Sequence, residues 1–134
     1  MKMDNDLANL SKESTEIARY LVKCAQHQRI ETYGDVCTEM GISHGHTYSA
    51  KELKYYLDEI NHVSYLCASV LLSVLVVNKD TGRPGSGFFA LATRLRQEHC
   101  LLDPGSWENF FNEECERVYK SARNKKINFF TDEK

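Results

Sequence analysis

The sequence predicts an α+β fold: a winged helix-turn-helix core with an extra N-terminal helix and a C-terminal helical extension. Three observations carry that prediction. Apolar residues recur at three-and-four spacing in successive segments, each preceded by a residue able to cap a helix. An aliphatic run, Leu71 to Val77, then abandons that spacing and reads as a buried strand. A glycine-rich loop follows directly, in the place of a wing. The 134 residues suffice for one core and are too few for two comfortable ones. The expected organisation is a flexible segment over 1–12, one globular unit over 13–123 and a loose tail over 124–134.

Taken in order, Ser11 or Ser14 caps a first helix whose Ile17, Tyr20, Leu21, Cys24 and Ala25 share one stripe, ending near His27 to Arg29. Thr32 caps a second, short helix, with Asp35 placed as in a capping box and Val36, Cys37 and Met40 turned inward. Gly41 is expected at its end, as the left-handed residue that closes a helix. A third helix starts near Thr47 to Ser49, backed by Glu52. Its core face is Leu53, Leu57 and Ile60, while Lys51, Lys54, Tyr55 and Asp58 point away. After the strand, Asn78 to Gly82 is a turn and Arg83-Pro84-Gly85-Ser86-Gly87 a constrained loop. Phe88 to Leu91 then opens either a return strand or a helix. Beyond Asp103-Pro104-Gly105, Ser106 caps a last helix carrying Trp107, Phe110, Phe111, Cys115, Val118 and Tyr119.

Composition narrows the function. With 17 Lys+Arg against 19 Asp+Glu the net charge is −2, which excludes a strongly basic nucleic-acid binder but leaves room for a locally basic face. Five widely spaced cysteines without a CxxC pair predict reduced thiols in the cytoplasm. The N-terminal residues lack the apolar stretch of a secretory signal, and no run is long enough to span a bilayer. Catalysis is not advertised. His99 and Cys100 are adjacent and therefore point apart on a helix, and Gly85-Ser86-Gly87 lacks the outer spacing of a nucleophile elbow. His44-x-His46 is the one tight histidine pair, without the further ligands of a zinc site. No catalytic residue, metal or cofactor is expected.

A nucleic-acid surface has more support. Helix N-termini and loop amides hold phosphates without net positive charge. Lys51 and Lys54 project from the third helix, and Lys79, Arg83, Arg94 and Arg96 flank the loop. A second basic group, Arg117, Lys120, Arg123, Lys125 and Lys126, complements the end of the last helix as readily as it attracts a ligand.

Thr32-Tyr33-Gly34-Asp35-Val36, the helix from Ser49, the run Leu72 to Val77 and Gly82 to Phe88 follow one another in an order familiar from one family. Over residues 30–91 the chain resembles the DNA-binding domain of the O6-alkylguanine alkyltransferases, and more closely the alkyltransferase-like proteins. There a tyrosine at the T-Y-G position helps rotate the target nucleotide, and an arginine on the recognition helix fills the gap left in the stack. The resemblance implies the first role for Tyr33 and places Lys51 near the second. It breaks at the strand, where the family writes Pro-Cys-His-Arg, or Pro-Trp-His-Arg in non-enzymatic members. This chain has Leu72-Ser73-Val74-Leu75-Val76-Val77 instead. Without Cys or His, alkyl transfer has neither nucleophile nor activating base.

The expected function is therefore a non-enzymatic nucleic-acid-binding protein, a regulator or a DNA defence or counter-defence factor. Tyr33, Lys51 and Lys54 would face a DNA duplex, with Arg83 and Ser86 on the loop. The alternative is a protein-interaction module that keeps the scaffold without the DNA. Asp35, Asp58 and Glu59 near the expected DNA face favour it, and the aromatic stripe of the last helix offers it a surface. Neither expectation involves a membrane, and the sequence sets no oligomeric state.

Overall fold

Residues that accept a hydrogen bond from their own next turn start the first three helices. In a computed structural model, which describes residues 10–45 and 47–131, Ser11 accepts from the Ser14 amide (3.1 Å) and opens α1, Lys12–Gln26. Thr32 accepts from the Asp35 amide (3.0 Å) and opens α2, Tyr33–His44. Ser49 and Glu52 exchange both bonds of a capping box at the start of α3, Ala50–Ala68. The expected end of α2 moves by one turn. Gly41 lies inside the helix, and Gly45, with φ +67°, supplies the left-handed closing residue.

The expected α+β winged helix is not what the chain forms. Helix accounts for 74% of the described residues, in five α-helices and several 3₁₀ turns, against a two-stranded sheet of two residues per strand. That sheet pairs β1 (Glu31–Thr32) in parallel with β2 (Val76–Val77), Glu31 opposite Val76 and Thr32 opposite Val77. A wing needs an antiparallel return, and the described residues contain none. The glycine-rich segment instead runs into α4, Ser86–Arg96, so Ser86 and Gly87 are its first two residues.

The reason lies in the backbone amides of the aliphatic run. Leu72–Leu75 is a 3₁₀ turn, and the N–H groups at its start are met by buried side chains rather than by a neighbouring strand. The Leu71 amide donates to Glu114 Oε2 (2.8 Å), that of Leu72 to Ser64 Oγ (3.2 Å) and that of Ser73 to Asn61 Oδ1 (3.0 Å). Asn61 also donates from Nδ2 to Ser73 Oγ (2.7 Å). Polar side chains on α3 and on the last helix have thus replaced a β-ladder, satisfying donors that burial would otherwise leave costly.

That last helix, α5 (Trp107–Arg123), packs with α1 and α3 around the run. Ser106 precedes α5 without capping it. Its hydroxyl donates backwards to the carbonyls of Cys100 (2.7 Å) and Asp103 (2.9 Å), while Asp103 accepts from the Gly105 amide. The core draws on Ile17, Leu21, Met40, Leu53, Ile60, Leu71, Leu72, Leu75 and Phe89, all buried. Each such side chain contributes about 1.5–3 kcal/mol by leaving water.

The expected loose tail is also corrected. Ile127 and Phe130 are buried, residues 128–131 form a 3₁₀ turn against α1, and Arg19 Nε donates to the Phe130 carbonyl (3.1 Å). The expectation for the N-terminal segment concerns mainly residues outside those described. All five cysteines are free thiols, and no described helix is long and apolar enough to cross a membrane.

Candidate functional site

The parallel pairing of β1 with β2 fixes where Tyr33 meets the glycine-rich segment. Tyr33 follows β1 directly, so its ring lies beside the segment that leaves β2. That segment is held in a turn: the Asn78 amide donates to the Arg83 carbonyl (2.8 Å) and the Gly82 amide to the Asn78 carbonyl (2.9 Å). Gly82 has φ +71°, which a side chain would strain. The turn brings the Gly85 amide within 3.2 Å of Tyr33 Oη, which accepts its hydrogen bond.

Around this bond lies a pocket of about 70 Å³, lined by Tyr33, Lys54, Leu57, Asp58, Ser73, Gly85, Gly87 and Phe88. Small-molecule sites usually run to ~300–1,000 Å³. This one admits a functional group or the edge of a ring, not a whole metabolite. One wall is the start of α4, where Gly85 is the cap residue and contributes no side-chain bond. That turn carries the positive end of the helix dipole; its Gly85 and Phe88 amides are bonded to Tyr33 Oη and the Gly85 carbonyl, and no side chain caps the helix. A Cβ on Gly87 would meet nothing within 4 Å, and one on Gly85 only ordinary contacts with Asn78 and Tyr33. The fold does not demand glycine at either place, and their bareness leaves the backbone open to approach.

The charges are uneven. Lys54 stands on the rim, and Lys51, Lys54, Arg83 and Arg94 have no ion-pair partner among the described residues. Asp58 shares the pocket. Desolvation raises its carboxyl above the ordinary value, against the opposing pull of His62, Arg94 and Lys54. Burial likewise raises the Tyr33 hydroxyl, with the Gly85 amide working against it and Asp58 adding to it. Tyr33 is therefore a neutral phenol at neutral pH, an acceptor toward Gly85 with a proton left to donate.

Of the five residues expected from sequence, Tyr33 and Lys54 line the pocket. Ser86 begins α4 at its edge and is exposed, Arg83 sits half-buried just before it, and Lys51 is exposed one turn earlier on α3. Asp58, Ser73, Leu57 and Phe88 were not expected as lining residues. Asn61 and Ser64 gave a readable signal, since both fall on the core face of α3 beside Leu57 and Ile60, where polar groups need partners.

Arg96 leaves the expected basic face. It donates from Nε and Nη2 to both oxygens of Glu114 (2.9 Å each), lies over the Tyr65 ring and also reaches the Ser69 carbonyl. Arg117 adds a bond from Nη1 to Glu114 Oε1 (2.7 Å). The aromatic stripe offered to a protein partner is likewise spent. Phe110, Phe111 and Tyr119 are buried, and Trp107 stacks on Phe89 at 4.3 Å. His44 pairs with Glu16 (3.0 Å), His46 lies outside the described residues, and no group of three His, Cys, Asp or Glu among those described could hold a metal.

Compared with family models, curated proteins and solved structures, the chain finds no match.

Proposed function

We propose that this is a non-enzymatic nucleic-acid-binding protein acting in the cytoplasm, as a regulator or as a factor in DNA defence or counter-defence. One observation carries the reading: the pocket gathers Tyr33, Lys54 and the uncapped start of α4 on a side of the molecule whose cations are unpaired. Phosphate is the ligand chemistry that uses bare helix-start amides and lysine together. Tyr33 and Lys54 contact the ligand at the pocket, and Lys51, Arg83 and Ser86 extend the contact along α3 and the loop before α4. The resemblance of residues 30–91 to alkyltransferase-like proteins supports the same surface, although the fold is mostly helical. Within the pocket the Ser73 hydroxyl accepts from Asn61 Nδ2 (2.7 Å). The protein-interaction alternative has lost its proposed surface to the core.

Fluorescence anisotropy of a short labelled duplex, titrated at low and moderate salt, tests this. The expected result is binding that weakens steeply with salt and is reduced by Lys54→Ala. Absence of binding to any nucleic acid at micromolar protein and low salt overturns it.

A further inference from the structure

Tyr55 is the one exposed large aromatic among the described residues, with 62% of its surface open to solvent. It is nevertheless not a loose side chain. The Tyr56 ring meets it edge-on at 5.5 Å and 72°, and Tyr56 is braced in turn by Tyr48, buried to 4%, at 5.5 Å and 69°. A ring held this way loses little freedom when something stacks on its open face.

Its surroundings select the kind of partner. One turn from Tyr55 on either side along α3 stand Lys51, Glu52, Asp58 and Glu59, with His62 a further turn on. Lys54 adjoins it in sequence at the pocket rim. An apolar peptide would want a continuous greasy patch, and this side of α3 offers one ring among charged side chains of both signs. The nearby acids are largely engaged within the fold. Glu52 closes the cap at Ser49, Glu59 accepts from the Ser11 and Ser14 hydroxyls, and Asp58 faces the pocket, where Lys54, Arg94 and His62 act on its carboxylate. A flat open ring beside two unpaired lysines matches a base flanked by its phosphates.

We infer that Tyr55 is a stacking platform for an unpaired base, and that the nucleic acid this surface prefers is single-stranded. The inference rests on the nucleic-acid reading and specifies its ligand. In a duplex the base faces are covered by their neighbours, so only the lysines and the start of α4 would engage it. A single strand adds stacking to the same phosphate contacts.

The test compares a labelled short oligothymidylate with a duplex of equal length. The single strand is expected to bind more tightly. Tyr55→Ala weakens it by about 10-fold and leaves the duplex within about 2-fold, while Tyr55→Phe retains single-strand binding. Tyr55→Trp supplies a direct readout, because stacking quenches its indole fluorescence as the strand is added. Tyr55 is exposed, so unchanged thermal unfolding is expected to accompany all three variants. Equal or tighter duplex binding, single-strand binding indifferent to Tyr55→Ala, or an unquenched indole overturns the inference while the nucleic-acid function stands. Binding to neither probe overturns both.

Discussion

Two charged regions of this molecule have opposite fates. Around Glu114, a fully buried carboxylate takes bonds from Arg96, Arg117 and the Leu71 amide, and every charge is answered inside the fold. Around Tyr33, Lys54 shares an open pocket with Asp58 without closing an ion pair, and no side chain caps the start of α4. Both regions read as basic in the sequence. The contrast teaches that arginines near a buried acid are architecture, and that cations without a partner mark the surface available for a ligand. The planar fork of Arg suits the first task, where two oxygens must be held in fixed geometry.

The comparison breaks most visibly at Glu114. Replacing it by Ala strands Arg96 and the Leu71 amide, and urea unfolding is expected to show a loss of about 3–5 kcal/mol. A loss under 1 kcal/mol would mean the network is ornamental. Asn61→Ala removes the partner of the Ser73 amide and should cost about 1–3 kcal/mol by the same measurement. At the open end the order reverses. Lys51→Ala with Lys54→Ala is expected to leave stability within about 0.5 kcal/mol. The same pair should reduce the slope of log affinity against log salt by about 2 units, if both lysines meet phosphates. An unchanged slope would move the interface elsewhere.

Gly87→Ala separates stability from binding in one substitution. The site has room for a Cβ and lies in the first turn of α4. Thermal melts should therefore show a gain of about 0.4–1 kcal/mol, while anisotropy shows weaker binding because the new methyl shields the bare amides. Asp58→Asn gives the smallest effect. The folded state holds the Asp58 proton more tightly than the unfolded chain does. Its contribution is thus favourable in acid and is lost as pH rises through the raised value. The variant should flatten that decline by less than ~1 kcal/mol and bind nucleic acid more tightly at neutral pH. A steeper pH dependence in the variant would contradict the assignment.

The helix starts were legible because capping is local. Ser11, Thr32 and Ser49 each announce themselves within three residues. The run Leu71 to Val77 was not, because a segment buried on every side has no periodicity to distinguish strand from tight turn. Its conformation was decided by Asn61, Ser64 and Glu114, which lie elsewhere in the chain. The same distance effect hid Arg96, whose partner is 18 residues away on another helix. Ile127, Phe129 and Phe130 were visible as an apolar group in the supposed tail, and the burial of Ile127 and Phe130 could have been anticipated. At the site, Tyr33 and Lys54 were readable singly, but their meeting depended on a two-residue parallel pairing that propensity does not encode.

The bond from Arg19 to the Phe130 carbonyl joins residues 111 positions apart. On a ribosome adding ~5–20 residues per second, α1 emerges roughly 5–20 s before the segment that covers it. Throughout that interval the part of α1 that packs on residues 128–131 lacks its cover, while α3 and the run at 72–75 are already at hand for the rest. The completed packing of α1 therefore waits on residues 128–131, and chaperone dependence should concentrate in the interval before they arrive.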